Sequence, residues 1–287
     1  MLGLWAKVSA NCTSTSATGF RVDVTQFGSV LIAAQPRNSK SSVVTEHQLA
    51  HFGAGLLDAR TFETWLYEAD NNDWVEQRIA PALFYTLLST NYSDGSQQMA
   101  ARDSARVAAM QINPVTWRNA MALATRCLTN EIEKAFFEVQ RGSGTTLHEA
   151  EALDDRLSAA ACTAARALDT ETRWQDVPAA VISGQHPIGF LDNVGFVYYL
   201  PAYMSWCLRN RSDDSDSHPF TLYAICNADD HHGRYAHFTA DQKSCVLNYI
   251  FFMAIHDSWD CRESTCLPKL RSENLMLYDK AIRKPVD

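Results

Sequence analysis

A helix-start signature recurs three times along the chain, and it restricts the fold more than any other feature. Thr45 with Gln48, Thr146 with Glu149 and Thr239 with Gln242 each place a hydroxyl three residues ahead of a carboxyl or carboxamide group. At that spacing the first side chain takes a backbone N–H at the third helical position, and the second reaches back to the N–H of the first residue. Apolar residues then recur at three- and four-residue steps: Leu49, Phe52, Leu56 and Leu57 after the first pair, and CVLNYIFFMAIH after the third. Asp58 ahead of Phe62, Trp65, Leu66 and Ala69 is a further start, as are Asn113 with Pro114 and Asp192 ahead of GFVYYLPAYMSWCLRN. The chain therefore reads as mainly α, with two helical domains and at most a few short strands near the N-terminus and around 220–226.

Residues 1–44 form an irregular lead-in rich in Ser, Thr and Asn, where alternation over 20–24 and an apolar run over 30–34 admit one or two short strands. Residues 45–112 are expected to make a small antiparallel helical bundle. In it EADNNDW breaks the chain before VEQRIAPALFYTLLSTNY, Pro81 marks an early helical position or a kink, and a fourth helix covers about 96–110. Its expected core is Leu57, Phe62, Trp65, Leu66, Leu83, Phe84, Leu87, Leu88 and Tyr92. Residues 113–287 make a second helical domain, the junction falling in the stretch towards Thr129. The helix opened by Asn113 runs to Val139 or restarts at Asn130, and Gly142 and Gly144 stop it. EALDDRLSAAACTAARAL is helical, RSDDSDSH and NADDHHGRYAH are loops, and LRSENLMLYDKAIRKP is a last amphipathic helix.

A net charge of −8 with scattered Lys and Arg argues against a nucleic-acid ligand, which needs a basic stripe to follow phosphates. It suits encounter with a basic protein. Cys12, Cys127, Cys162, Cys207, Cys226, Cys245, Cys261 and Cys266 are spread as reduced thiols would be, with no disulfide framework. MLGLWAKVSANC lacks a basic leader, and the longest apolar stretch, 194–208, is interrupted by Pro201 and falls short of the roughly 20 residues that span a bilayer. A cytoplasmic protein without membrane contact is the expectation.

His47 and His51 stand four apart, the spacing of zinc-binding histidines, but Gln48 occupies the position where a metallohydrolase carries its general-base Glu. Asp229, Asp230, His231, His232 and His237 crowd one loop, where imidazole and carboxylate can hold a metal or move protons; a solvated loop is the simpler account. Cys261 and Cys266 with His256 lack the second cysteine pair of a zinc site. Asp154 and Asp155 point about 100° apart on a helix and cannot act on one atom. Tyr199, Tyr203 and Trp206, with Phe196 and Tyr198, read as core before they read as a pocket. No P-loop, nucleophile elbow or dinucleotide-binding glycine motif is present, so no cofactor and no catalytic or metal-binding residue is assigned.

Two blocks carry resemblances. NEIEKAFFEV, TLHEAEALDD, RWQDVP, FLDNVGFVYYLPAYMSW and HFTADQKSCVLNYIFFM, spanning about 130–254, resemble a bacterial domain family of unknown function, with YYLPAYM the most specific piece. GLLDARTFETWLYEADNN followed by LFYTLLSTNYSDG resembles a small helical domain found near interbacterial toxin loci. That second resemblance implies an immunity role: an acidic protein that binds and blocks a toxin. The expected function is thus a non-catalytic binding protein, its acidic surface neutralising a toxin partner, with Asp213, Asp214, Asp216, Asp229 and Asp230 as contact residues. The competing readings are a metal-dependent hydrolase working through loop 229–237 and a structural adaptor.

Overall fold

Small side chains decide how the first helices meet. A computed structural model describes residues 42–184, 187–211, 216–226 and 233–256. Helix α1 (Ser42–Gly53) crosses α5 (Gly95–Ile112) where Gly53 lies so close that a Cβ there would sit 2.8 Å from the Arg106 backbone nitrogen. Ala101, Ala105, Ala108 and Ala109 form the facing stripe of α5, all buried; a helix whose inner face is alanine lets another backbone approach. Arg102 fastens the crossing. Its Nη1 donates to the carbonyls of Phe52 (2.6 Å) and Leu57 (3.1 Å), and its guanidinium lies 4.3 Å from the Phe52 ring centroid. Helix α1 ends in a Schellman turn, with Gly55 at φ 80° and the Leu56 N–H donating to the His51 carbonyl. The helix is already running at Ser42, so Thr45 lies inside it and is not its start.

Between α1 and α5 come α2 (Ala59–Leu66), α3 (Ala69–Glu76) and α4 (Pro81–Ser89). Asp58 caps α2 by accepting the Thr61 N–H at 2.9 Å, and Pro81 opens α4, both at the expected positions. The acidic stretch expected as a break is itself helix α3. Asn71, 7% exposed, donates to the Trp65 carbonyl and the Glu68 carboxylate, which lets so polar a segment pack. Phe62, Leu66, Leu87 and Tyr92 are buried; Leu57, Trp65, Leu83, Phe84 and Leu88 pack against them partly exposed.

Helix α6 (Pro114–Ala135) starts at the Asn113 cap, whose Oδ1 accepts the Val115 and Thr116 N–H groups, and runs unbroken past Asn130. It packs on α1, α5, α10 (Asn193–Arg209) and α12 (Ala240–His256). The segment expected as one helix after Thr146 is two, α7 (Leu147–Asp154) and α8 (Ala159–Arg166). Arg156, at φ 56°, turns the chain left-handed between them, and Ser158 caps the second by accepting the Ala161 N–H. After α9 (Ala179–Gly184) and a 3-10 turn over Pro187–Phe190, Asp192 caps α10 as expected. Residues around 220–226, where a short strand was admitted, belong to helix α11 (Ser217–Cys226). Ser217, His218, Thr221, Leu222, Ala224 and Ile225 are buried, a spacing of three and four that is helical and not alternating. Twelve α-helices and no strand occur among the described residues.

Helix α10 is the hub. Phe196, Tyr198, Tyr199 and Tyr203 are wholly buried and Trp206 nearly so, as the reading of that stripe as core requires. At about 150–250 Å² and 25 cal/mol per Å², each such ring contributes roughly 4–6 kcal/mol of gross transfer energy. Its first turn is crossed by the segment after α6 at a glycine-on-glycine contact. A Cβ on Gly195 would lie 2.3 Å from the Thr145 carbonyl oxygen, and one on Gly144 would lie 2.5 Å from the Gly195 nitrogen. Asp192 Oδ1 accepts both the Thr145 N–H (3.0 Å) and the Gly195 N–H (2.7 Å). Gly144 therefore serves a close approach, in addition to lying beyond the helix end. The described residues between 42 and 256 form one compact unit, and one buried core runs from Leu49 to Met253. The strands admitted at 20–24 and 30–34 and the helix expected near 270–285 lie outside the described residues.

Candidate functional site

Those residues singled out by sequence that the structure describes do not converge. The His47 and His51 rings meet edge to face with centroids 5.7 Å apart, and burial, with the neighbouring imidazole, lowers the His51 pKa below its ordinary value. Among the described residues no group of three His, Cys, Asp or Glu side chains is placed to hold a metal ion. Asp216 is exposed just ahead of α11. Asp213, Asp214, Asp229, Asp230, His231, His232, Cys261 and Cys266 lie outside the described residues. His237 is exposed, its Nε2 3.1 Å from the Asn193 side-chain nitrogen. Asp154 and Asp155 are exposed at the end of α7.

The ionic side chains that do converge were not singled out. Asp169 accepts the His148 backbone N–H at 2.9 Å and lies 2.7 Å from His148 Nδ1. Arg141 donates from Nη1 to the Asp169 carbonyl (2.8 Å), Glu171 Oε1 (3.1 Å) and the Tyr199 hydroxyl (3.3 Å). The Tyr199 hydroxyl in turn donates to Glu171 Oε1 at 2.6 Å. Burial and the Glu171 carboxylate push the Tyr199 phenol well above its usual range, and burial, again with Glu171, raises Tyr198 to about 12. Burial draws Arg141 down, but its Tyr199 and Glu171 partners outweigh that and leave the guanidinium more firmly protonated. A buried ionic cluster is tolerable only when its charges are paired and hydrogen-bonded, and this one satisfies itself. It ties the start of α7, the 169–171 segment and α10 together. His148 Nε2 has no hydrogen-bond partner among the described residues.

An open site forms elsewhere. A groove of about 720 Å³ lies where α6 ends and α12 begins, lined by Asn130, Glu133, Lys134, Phe137 and Glu138 on one side and by Thr239 and Gln242 on the other. Local chemistry fixes both walls. Thr239 and Gln242 exchange reciprocal hydrogen bonds, the Thr239 N–H donating to Gln242 Oε1 at 2.9 Å and the Gln242 N–H to Thr239 Oγ1 at 3.2 Å. Gln242 Nε2 also reaches across to the Ala135 carbonyl at 3.2 Å. The indole of Trp174 donates to the Phe136 carbonyl at 2.9 Å, and the buried Phe136 ring packs against Phe238 with centroids 6.1 Å apart. The turn leaving α6 is thus pinned at two successive carbonyls, and it displays the next residue, Phe137, 66% exposed. Glu133, Lys134 and Glu138 enter none of the ion pairs of the described residues, among them Arg106–Asp103, Arg141–Glu171, His148–Asp169 and Arg166–Glu149. A rigid exposed aromatic beside unpaired charges is what a recognition surface needs.

Sequence reasoning missed this groove because its walls are 107 positions apart. The Thr239–Gln242 pair marked one wall, and the end of the helix from Asn113 marked the other, with nothing in the sequence to say that they meet.

The model of a family of unknown function, DUF6714, matches residues 125–278, just over half of the chain, and takes in both walls of the groove. No curated protein and no solved structure matches the chain. No helix among the described residues is long and apolar enough to cross a membrane.

Proposed function

The chain belongs to this family, and on that premise we propose that it is a non-catalytic binding protein whose acidic surface engages a basic protein partner. The observation that carries this reading is the groove at the end of α6, with Phe137 held out on a pinned turn among carboxylates that no ion pair of the described residues neutralises. The charge cluster around Arg141 and Asp169 satisfies its own charges and serves as a fastening. Within this class we favour an immunity-type role, neutralising a toxin. It is supported by the net charge of −8 and by the FETWLY and LLSTNY resemblance at residues 62–67 and 87–92. Asp216 is an exposed candidate contact, and Asp213, Asp214, Asp229 and Asp230 extend the same acidic character in sequence.

Co-expression with the product of the neighbouring gene tests the immunity reading. Relief of growth inhibition is expected, and inhibition that persists unchanged refutes the role. The competing hydrolase reading requires a tightly bound transition metal that is lost when His231 and His237 are substituted, so metal analysis of the purified protein separates the two.

A further inference from the structure

We propose that the groove between α6 and α12 is a receptor for an arginine side chain presented by the partner; this rests on the binding reading above. A guanidinium asks for three things at once: carboxylate or carbonyl oxygens in its plane, an aromatic face to stack on, and a local field that favours a cation. The groove supplies each. Glu133 and Glu138 line it, neither paired with a cation among the described residues. Phe137, between them in sequence, exposes two thirds of its surface. The field comes from the helix that ends there. α6 is 22 residues long, and the C-terminal end of a helix carries roughly half a negative charge.

The last-turn carbonyls sharpen the case. The Ile132 carbonyl takes the Phe136 N–H and the Ala135 carbonyl takes Gln242, but those of Glu133 and Lys134 meet no backbone N–H among the described residues. Such carbonyls at a helix end seek donors from outside the helix, and a guanidinium brings five. Lys134 is the one cation in the lining. Its ammonium holds neither carboxylate, sits on a flexible four-carbon stem, and leaves the groove with a net negative charge. An incoming lysine meets the same field but cannot stack its charge flat on Phe137 or bridge carboxylate and carbonyl as a planar fork does.

The experiment titrates the full-length protein with three capped tetrapeptides, Gly-X-Leu-Gly, in which X is arginine, lysine or citrulline, and follows backbone amide resonances by NMR. The arginine peptide is expected to bind with a Kd on the order of millimolar, moving the amides of Phe137 and Glu138. Lysine should bind more weakly, and citrulline, isosteric but uncharged, weaker by about tenfold or more. Phe137→Ala and Glu138→Gln, both at exposed positions, should each weaken arginine binding about threefold to tenfold. Equal binding of arginine and citrulline by the unaltered protein, or shifts that avoid the groove, would overturn the proposal whether or not the variants behave. A toxin partner neutralised equally by the unaltered protein and by Phe137→Ala with Glu138→Gln sinks the arginine receptor and leaves the binding reading standing. Arginine-selective binding at the groove without neutralisation sinks the immunity role and keeps the receptor.

Discussion

Replacing Gly195 by alanine tests the packing logic of the fold at its tightest point. The new methyl would lie 2.3 Å from the Thr145 carbonyl oxygen, where ordinary contact begins near 3.4 Å, so the backbone at Thr145 must retreat by about 1 Å. Both groups are main chain, and no side-chain rotation relieves them. Overpacking of this kind costs about 1–3 kcal/mol. The retreat also draws the Thr145 N–H away from Asp192 Oδ1, a hydrogen bond to a charged group worth about 1.5–3 kcal/mol. Against this, alanine gains about 1 kcal/mol in the first turn of α10 through helix propensity and a less disordered unfolded chain. The net loss is therefore about 2–5 kcal/mol. At roughly 2–4 °C per kcal/mol for a domain of this size, the midpoint should fall by about 4–20 °C. Urea unfolding followed by far-UV circular dichroism measures the free energy, and calorimetry measures the midpoint. Gly189→Ala is the control, since a Cβ there meets nothing within 4 Å. Loss of less than about 0.5 kcal/mol in Gly195→Ala, or equal loss in the control, would refute the claim that this crossing requires glycine.

Three further outcomes follow from the same structure. Arg234→Met should cost about 2–4 kcal/mol in urea unfolding, because Arg234 Nη2 donates to the Gly189 (2.9 Å) and Leu191 (2.7 Å) carbonyls and the guanidinium stacks 4.5 Å from the Phe196 ring centroid. On the alkaline side, the folded state holds the Tyr198 proton up to about pH 12 while the unfolded phenol releases it near 10. Stability is thus fully present below pH 10 and declines as pH rises towards 12, and phenolate absorbance should appear together with loss of ellipticity. On the acid side, His51 has a lowered folded pKa, so its contribution is present above about pH 6.5 and is lost as pH falls below it; His51→Leu should remove that part of the pH dependence of urea unfolding.

What was legible in the sequence is what side chains settle within one turn. Asp58, Asn113, Asp192 and the Thr146 and Thr239 pairs start helices because each closes a ring of three or so residues on itself. The α7–α8 break went unseen because the chain reverses at Arg156 in a left-handed conformation that usually signals its presence with glycine. Helix α3 went unseen because its stabilising contact, Asn71 to the carbonyl of Trp65, belongs to the preceding helix. The Arg141–Asp169–Glu171–Tyr199 cluster and the groove are tertiary from the outset, drawn from residues 28 to 107 positions apart.

Helix α6 bears on how such proteins diverge. The stretch shared with the family begins at residue 125, midway along it. Trp117, Ala120 and Met121 before that point continue the same buried stripe as Leu128 and Ile132 after it, and Asn113 at its head is bound to Glu46 of α1. In this chain the apolar flank of the rod that the family's portion shares is completed by residues that precede that portion. The seam between the family's portion and the rest of this chain therefore runs through the middle of a single buried helix face, while the groove lies wholly on the family's side of it.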